Sequence, residues 1–324
     1  MRRRVFLSAV AIVASLSCAT LFAQTRADRT INIVVPFAPG GSTDAMARLL
    51  REGMAKEIDE QIIVVNQPGA GGSLAASATK RADADGRQLL VGTIGSMAIY
   101  PILYKSRVDY DPLKDFAPVI WSVSLPLAVV VPASSPFHTL QELTDYLKKD
   151  GGNANYASAG NGSSPHLGAE LYKSMAGVEA VHVPYNGGSP ALLGLSSGET
   201  TFMVAVASEA KPFVDAGRLR MLAVTTTERL PDMPDFPTVD ESGLPGYEIT
   251  SWYAFFVRAG TSREIINKYN KALNAALKDE KTIETLTNMG LLIQGGSPEE
   301  LTRMMETEMV KWQKVVDVAG VSAN

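Results

Sequence analysis

The sequence contains little of the chemistry on which enzymes and metal sites depend. Its 324 residues include one cysteine, Cys18, and three histidines, His138, His166 and His182. A single thiol rules out an intramolecular disulfide framework and a cysteine-based metal site. No two histidines are close enough in sequence to suggest a metal-binding pair, and the His-Glu-x-x-His motif is absent. We therefore expect no metal, no cofactor and no catalytic residues.

Basic segments and long hydrophobic segments are also scarce. The formal net charge is -4, and beyond the first few residues there is no block of lysines and arginines. Nucleic acid binding is therefore not expected. After residue 23, no apolar stretch approaches the roughly 20 residues that a membrane span needs. The composition, 46% hydrophobic and 20% charged, is that of a globular protein, and the length allows two domains.

The first residues have the three parts of a secretory signal. Arg2 to Arg4 form a basic segment, and a short apolar run follows over residues 5–16. Small residues then allow cleavage after Ala19 or after Ala23. The pattern predicts a signal peptide over residues 1–23 and export to the periplasm.

The route of export and the fate of the cysteine stay open. Arg3-Arg4-Val5-Phe6-Leu7 resembles a twin-arginine signal, and it also fits a Sec signal with extra arginines. Cys18 is either a lipoprotein cysteine or is lost with the leader. Ser15 stands where a lipoprotein site usually has leucine.

The remainder alternates strands with helices, which predicts an α/β fold with parallel units. Predicted strands cover 31–35, 61–66, 88–92, 119–131, 155–158, 181–183, 201–207, 219–225 and 247–257. Predicted helices cover 44–58, 73–82, 140–149, 165–175, 191–195, 208–216, 262–278, 280–289 and 298–319. Residues 229–247 contain four prolines and are predicted to be irregular.

Two long extended runs, 119–131 and 247–257, are predicted to cross between two lobes. The first lobe would comprise residues 27–124 plus 251–324, and the second lobe residues 125–250. Ligands of such folds bind beyond the carboxyl ends of the strands, in the cleft that the crossings leave.

Two glycine-rich loops are predicted to line this cleft. The first loop, residues 36–44, has the sequence Pro-Phe-Ala-Pro-Gly-Gly-Ser-Thr-Asp and leads from a strand into a helix. Helix N-termini carry unpaired N–H groups and favour anions. The loop contains no lysine or arginine, so neutral amides and hydroxyls would hold a ligand carboxylate. The second loop, residues 158–165, repeats this device, with Ser164 as predicted helix cap and Pro165 as first helical residue.

Several residues near these loops have two interpretations. Asp44 either caps its helix or accepts a hydrogen bond from a ligand amine or hydroxyl. His166 either contacts a ligand or satisfies a helix cap, whereas His182 lies inside a strand and is expected to be structural. Gly194-Leu195-Ser196-Ser197-Gly198 fits a nucleophile motif, but it follows a helix rather than a strand. Gly160-Asn161-Gly162 lacks the rest of a dinucleotide fingerprint.

Together these motifs resemble the solute receptors of tripartite tricarboxylate transporters, the Bug-type periplasmic binding proteins. The first loop carries the resemblance, as do segments in the same order along nearly the whole mature chain. These are Asn66 to Gly72, Tyr110 to Pro118, Asn155 to Ser163, His182 to Tyr185, Leu222 to Thr226, Pro237 to Val239 and Gly243 to Tyr247.

The resemblance implies a two-lobed, type II Venus-flytrap α/β fold with two interlobe crossovers. It implies capture of a small mono- or dicarboxylate and delivery to membrane permease subunits by a monomeric receptor. One ligand carboxylate would be bound by the first loop and the second loop. The ligand-binding residues that the resemblance implies are Gly41, Ser42, Thr43, Asp44, Ala159, Gly160, Asn161, Gly162 and Ser163, with Thr93 and Ser96 at the far end of the pocket. The predicted site also includes His166, Tyr185 and Ser208.

The sequence departs from the family pattern at positions that bear on the ligand. Met97 stands where members often have histidine, and Tyr100 where they often have asparagine. Asn186 replaces a frequent lysine, and Ala207-Ser208-Glu209 replaces a frequent Asp-Asn or small-residue loop. These departures leave the carboxylate site intact and leave the rest of the ligand undefined. The competing function is that of a ligand sensor for a signalling partner. A periplasmic enzyme is a further alternative that the sequence favours less.

Overall fold

The computed structural model describes residues 30–185 and 187–319. The predicted signal peptide, Cys18 and Asn186 lie outside these residues. The described strands are β1 (Ile31–Val35), β2 (Ile62–Asn66), β3 (Gln88–Thr93), β4 (Phe116–Pro132), β5 (Asn155–Ser158), β6 (Val181–Pro184), β7 (Phe202–Val206), β8 (Leu219–Val224), β9 (Thr250–Arg258) and β10 (Leu292–Gly295).

Helices lie between most of these strands. They are α1 (Ser42–Glu57), α2 (Ser73–Arg81), α3 (Tyr100–Leu103), α4 (Leu140–Asp150), α5 (Ser164–Ala176), α6 (Gly188–Ser196), α7 (Ala207–Asp215), α8 (Arg263–Leu277), α9 (Glu280–Asn288) and α10 (Pro298–Ala319). A π-helical turn, Gly95–Ile99, precedes α3. The predicted alternation of strands and helices is confirmed.

The strands form one mixed sheet in the order β2-β1-β3-β9-β4-β7-β5-β6, with β8 and β10 also paired to β4. Neighbours β1, β2 and β3 run parallel, as do β5, β6 and β7. The long strand β4 joins the two sets. Its residues 116–126 pair antiparallel with β9, and its residues 127–132 pair with β7 and β8. Since parallel strands end at the same edge, the loops after β1 and β5 lie at strand carboxyl ends.

The amphipathic faces predicted from the sequence form the core. Met46, Leu50 and Met54 of α1 have no exposed surface, and they pack with β1, β9 and α8. A second cluster buries α6 and α7 against β7 and β8. In α10, Leu301 and Trp312 are fully buried in a third cluster that includes residues of both strand sets. Helix α10 therefore packs across both parts of the sheet.

The structure corrects several element boundaries. Strand β10 was not predicted, because its four residues, Leu-Ile-Gln-Gly, do not alternate apolar with polar side chains, and the strand depends on pairing with β4. Helix α6 begins at Gly188 rather than at residue 191. The N-cap of α5 is Ser163, and Ser164 is already helical.

Candidate functional site

One cavity of about 520 Å³ lies where the first loop and the second loop meet. Ten residues predicted from the sequence line it. They are Gly41, Ser42, Thr43, Thr93, Ala159, Gly160, Asn161, Gly162, Ser163 and Tyr185. Four other predicted residues do not line it: Asp44, Ser96, His166 and Ser208. The loops that the sequence singled out therefore converge on one site.

The first loop presents backbone donors to this cavity. Gly40 has a φ of +92°, a conformation that glycine adopts without strain. The chain then enters α1 with Gly41 as N-cap, and no side chain caps the helix. Among the described residues, the N–H groups of Ser42 and Thr43 have no acceptor. Unpaired amides at a helix N-terminus are suited to an anion.

Asp44 supports the loop from behind. Asp44 is 4% exposed, and its carboxylate accepts hydrogen bonds from Gly40 N at 3.0 Å, Arg48 Nε at 2.9 Å and Asn66 Nδ2 at 2.9 Å. The Arg48 hydrogen bond, together with those from Gly40 and Asn66, lowers the pKa of Asp44 to about 2 despite its burial. The carboxylate thus holds the loop in shape, with its acceptors engaged inside the protein.

The hydroxyl of Ser42 is held by β9. Ser42 Oγ and Tyr253 Oη lie 3.0 Å apart, and both residues line the cavity. Burial raises the pKa of the Tyr253 hydroxyl, while hydrogen bonds to Ser42 and Thr43 oppose that rise. A neutral tyrosine hydroxyl can donate to Ser42, which leaves the serine hydroxyl hydrogen for a ligand oxygen.

The second loop uses glycine at two turns. Gly160 and Gly162 have φ values of +117° and +74°. Ser163 Oγ accepts from His166 N at 3.4 Å and donates to Gly160 O at 2.7 Å. Within the described chain, the Asn161 N–H has no acceptor. This loop therefore offers an amide and side-chain polar groups to the cavity, as the first loop does.

Two histidines lie beneath the second loop and hold its backbone. His166 Nδ1 accepts from Gly162 N at 3.2 Å, and His182 Nε2 lies 2.6 Å from Ser158 Oγ. The two rings stack with centroids 4.1 Å apart. Burial lowers the pKa of each histidine to about 4, with smaller contributions from Lys173 and, at His182, from His166. Both rings are therefore neutral near pH 7 and can accept hydrogen bonds.

The turn after β3 closes another side of the cavity. Thr93 lines it, and Ser96 lies below with no exposed surface, bonded to Thr93 through N–H and hydroxyl groups. The Tyr100 ring packs against Gly71 and Gly162. A Cβ on those glycines would lie 2.6 and 3.2 Å from the ring. Met97 is fully buried in the core.

The remaining lining residues were not among the predicted ligand-binding residues. They are Phe37, Gly71, Ile94, Gly95, Ser164, Pro165, Gly187, Gly188, Ser189, Val206, Glu209, Ser251 and Tyr253. Gly187 to Ser189 form the N-cap and first residues of α6. Ser208, predicted in place of its neighbour Glu209, packs instead against Gly290, where an added Cβ would lie 2.3 Å from the serine Cβ.

Other classes of site were sought in the described part of the chain. Over residues 30–185 and 187–319, no group of three His, Cys, Asp or Glu side chains is arranged to hold a metal ion. Within the same residues, no helix combines the length and apolarity needed to cross a membrane.

The family model of the tripartite tricarboxylate transporter family receptor matches residues 46–321. Among solved structures, R. palustris Rpa4515 with adipate is 35% identical, with a TM-score of 0.83 over 91% of this chain and 98% of that one. MatC from Rhodopseudomonas palustris with bound malate is 34% identical, with a TM-score of 0.80 over 89% and 99%. The periplasmic binding protein BugD is 32% identical, with a TM-score of 0.81 over 91% and 99%.

These proteins are solute-binding receptors and not enzymes. The family match covers most of the sequence, and the structural likeness extends over both strand sets. The chain therefore belongs to the tripartite tricarboxylate transporter receptor family, as a Bug-type solute-binding receptor with the two-lobed α/β fold of a periplasmic binding protein.

Proposed function

We propose that this receptor captures a small carboxylate in the cavity between the first and second loops and delivers it to a membrane permease. The observation that carries the proposal is the convergence of unpaired amides from both loops on one cavity. Ser42 and Thr43 contribute N–H groups from the first loop, and Asn161 contributes one from the second. Hydrogen bonds from neutral donors to a carboxylate are charge-assisted and stronger than those between neutral groups.

The receptor would act by closure of its lobes on the ligand. We place the first lobe at residues 27–124 plus 251–324 and the second at 125–250, since β4 changes partners between residues 126 and 127. The two chain crossings near 121–126 and 248–254 would form the hinge. A ligand that contacts both lobes favours the closed state by its differential affinity.

Contacts across the cavity are consistent with a closed form. Gly95 and Tyr100 belong to the first lobe, and both approach Gly162 of the second. A Cβ on Gly95 would lie 3.6 Å from Gly162 O. We expect these contacts to form when the lobes close. The export signal would place the receptor in the periplasm, where the permease would recognise the closed state.

Substitution of Ser42 tests the carboxylate site. Ser42→Ala removes one hydroxyl from the cavity, and we expect it to weaken carboxylate binding by about 1.5–3 kcal/mol, the range for a hydrogen bond to a charged group. Isothermal titration calorimetry with malate, succinate, glutarate, adipate and simple monocarboxylates measures the change. Ser106→Ala, at an exposed position outside the cavity, is the matched control.

Two results would contradict the proposal. No binding of any carboxylate by the wild-type receptor would exclude the ligand class, and equal affinities for wild type and Ser42→Ala would exclude the first loop as its site. Delivery to a permease is tested separately, because deletion of the gene should abolish uptake of whichever carboxylate binds.

A further inference from the structure

Among the described residues that line the cavity, one carries a carboxyl group, Glu209. None of the described residues that line the cavity is a lysine, an arginine or a histidine. Among the described residues, the Glu209 carboxyl also has no hydrogen-bond or ion-pair partner. A carboxyl group in this position is available to a ligand and has no cation of the protein to neutralise it.

The surroundings of Glu209 bring its carboxyl group to the cavity wall. Glu209 is the third residue of α7, and a Cβ on Gly188 would lie 2.1 Å from Glu209 Oε2. The carboxyl group thus occupies the space that a side chain at Gly188 would otherwise fill. The charge of Glu209 also helps to raise the pKa of Tyr253, the partner of Ser42. Burial raises the pKa of Glu209 itself.

The cavity is therefore electrically asymmetric. The loops supply hydrogen-bond donors, namely the amides of Ser42, Thr43 and Asn161, which favour an anionic group. Glu209 supplies an acceptor, which favours a cation and disfavours a second carboxylate. A dicarboxylate meets suitable donors at one end only, whereas a ligand with one anionic and one cationic end matches both.

We propose that Glu209 selects carboxylates whose far end carries a cationic nitrogen, so that the natural ligand is an amino- or ammonio-carboxylate. This inference rests on the proposed carboxylate-binding function and narrows it. The ligand carboxylate lies against the two loops, and its ammonium group donates to Glu209. The competing role for Glu209 is structural, since an acid in the first turn of α7 interacts favourably with the helix dipole.

Pairs of ligands with the same number of methylene groups separate these roles. In each pair, one carboxylate of the first ligand is replaced by an ammonium group in the second. The pairs are succinate with β-alanine, glutarate with γ-aminobutyrate, and adipate with δ-aminovalerate. We expect the wild-type receptor to bind the amino member of at least one pair at least about tenfold more tightly in calorimetric titrations. Glu209→Gln should remove that preference through loss of affinity for the amino member. Glu228→Gln, at an exposed position outside the cavity, should retain it.

The possible outcomes decide between the alternatives. The proposal is overturned if the wild-type receptor binds the dicarboxylate of every pair more tightly, a result that does not depend on how Glu209→Gln folds. It is also overturned if Glu209→Gln leaves the preference for the amino ligand unchanged, which is the result for a structural role. In both cases the receptor still binds carboxylates, so the proposed function stands. If no carboxylate of any kind binds, both proposals fail together.

Discussion

The two loops that line the cavity keep their shape with opposite chemistry. Behind the first loop lies an ionised carboxylate, Asp44, which accepts three hydrogen bonds and has a pKa of about 2. Beneath the second loop lie two neutral histidines, His166 and His182, whose pKa values are lowered to about 4. Both arrangements orient backbone amides toward the same cavity.

A cavity lined by unpaired amides can thus be organised by buried groups behind its loops, and none of the described residues that line it is a lysine, an arginine or a histidine. Asp44 uses its charge to bind Arg48, which is half exposed and does not line the cavity. His166 must be unprotonated at Nδ1 to accept from Gly162 N. The first loop therefore depends on a group that stays ionised, and the second loop on groups that stay neutral, so acid should affect them over separate pH ranges.

The largest effect is expected at Asp44. Asp44→Ala leaves the donors of Gly40, Arg48 and Asn66 without their acceptor. Because removal of one partner from a buried charged network costs several kcal/mol and Arg48 retains access to water, we expect the free energy of unfolding to fall by about 3 kcal/mol. Urea denaturation measures it. Carboxylate affinity should also fall, because the first loop loses its support.

Asp59→Ala is the control for this change, since Asp59 is exposed on the segment that follows α1. It should leave both stability and affinity unchanged. If Asp44→Ala lowered stability but bound carboxylates with wild-type affinity, the first loop would not need its buried acid to present amides, and the comparison between the loops would fail.

The next effect concerns pH and the second loop. A histidine whose pKa falls from 6.5 in the unfolded chain to about 4 in the folded protein binds protons preferentially when unfolded. Above pH 6.5 this histidine is neutral in both states and does not make the free energy of unfolding depend on pH. As the pH falls from 6.5 toward 4, the unfolded chain takes up the proton first, and the free energy of unfolding decreases. For His166, the loss between pH 7 and pH 5 amounts to about 2 kcal/mol. Asp44 does not titrate in this range.

The variant His166→Asn isolates this contribution, because it keeps a neutral acceptor close to Gly162 N. Its unfolding free energy, measured in urea from pH 7 to pH 5, should fall less steeply than that of the wild type. His138→Asn, at an exposed position, should retain the wild-type slope. Equal slopes for wild type and His166→Asn would show that burial of this histidine does not couple stability to protonation.

Local signals in the sequence were sufficient for most of the fold. The β-branched run of β1 and the apolar spacing of α10 gave the observed bounds of both elements. Strand β10 was missed because its residues carry no alternation of apolar and polar groups that marks a strand, and only pairing with β4 creates it. The predicted start of α6, residue 191, lies after the observed start at Gly188, because glycines and a proline obscure the helical pattern of the first turn.

The loops of the site were predictable for the same reason. Glycines at strand ends followed by helix starts mark close backbone approach, and the structure brings both loops to one cavity. Glu209 was not among the predicted site residues, because its position depends on the packing of α7 against distant segments. The sequence favoured Ser208 over its neighbour, yet helical geometry turns Glu209 to the cavity and Ser208 to Gly290.

The smallest effect tests whether the two loops contribute hydroxyl groups equally. Ser163 caps α5, with Oγ 3.4 Å from His166 N. Ser262 caps α8 with the same distance to Ile265 N and lies outside the cavity. Since loss of a serine cap costs about 1 kcal/mol, Ser163→Ala and Ser262→Ala should lower the unfolding free energy by similar amounts.

Only Ser163→Ala should weaken carboxylate binding, because only that hydroxyl lines the cavity. We expect a smaller loss than for Ser42→Ala, since Ser163 Oγ already donates its hydrogen to Gly160 O at 2.7 Å, whereas Ser42 is held by Tyr253. Calorimetric titration of the two cap variants gives the comparison. If both bind carboxylates with wild-type affinity, the second loop acts through its backbone amides alone, and the hydroxyl contribution belongs to the first loop.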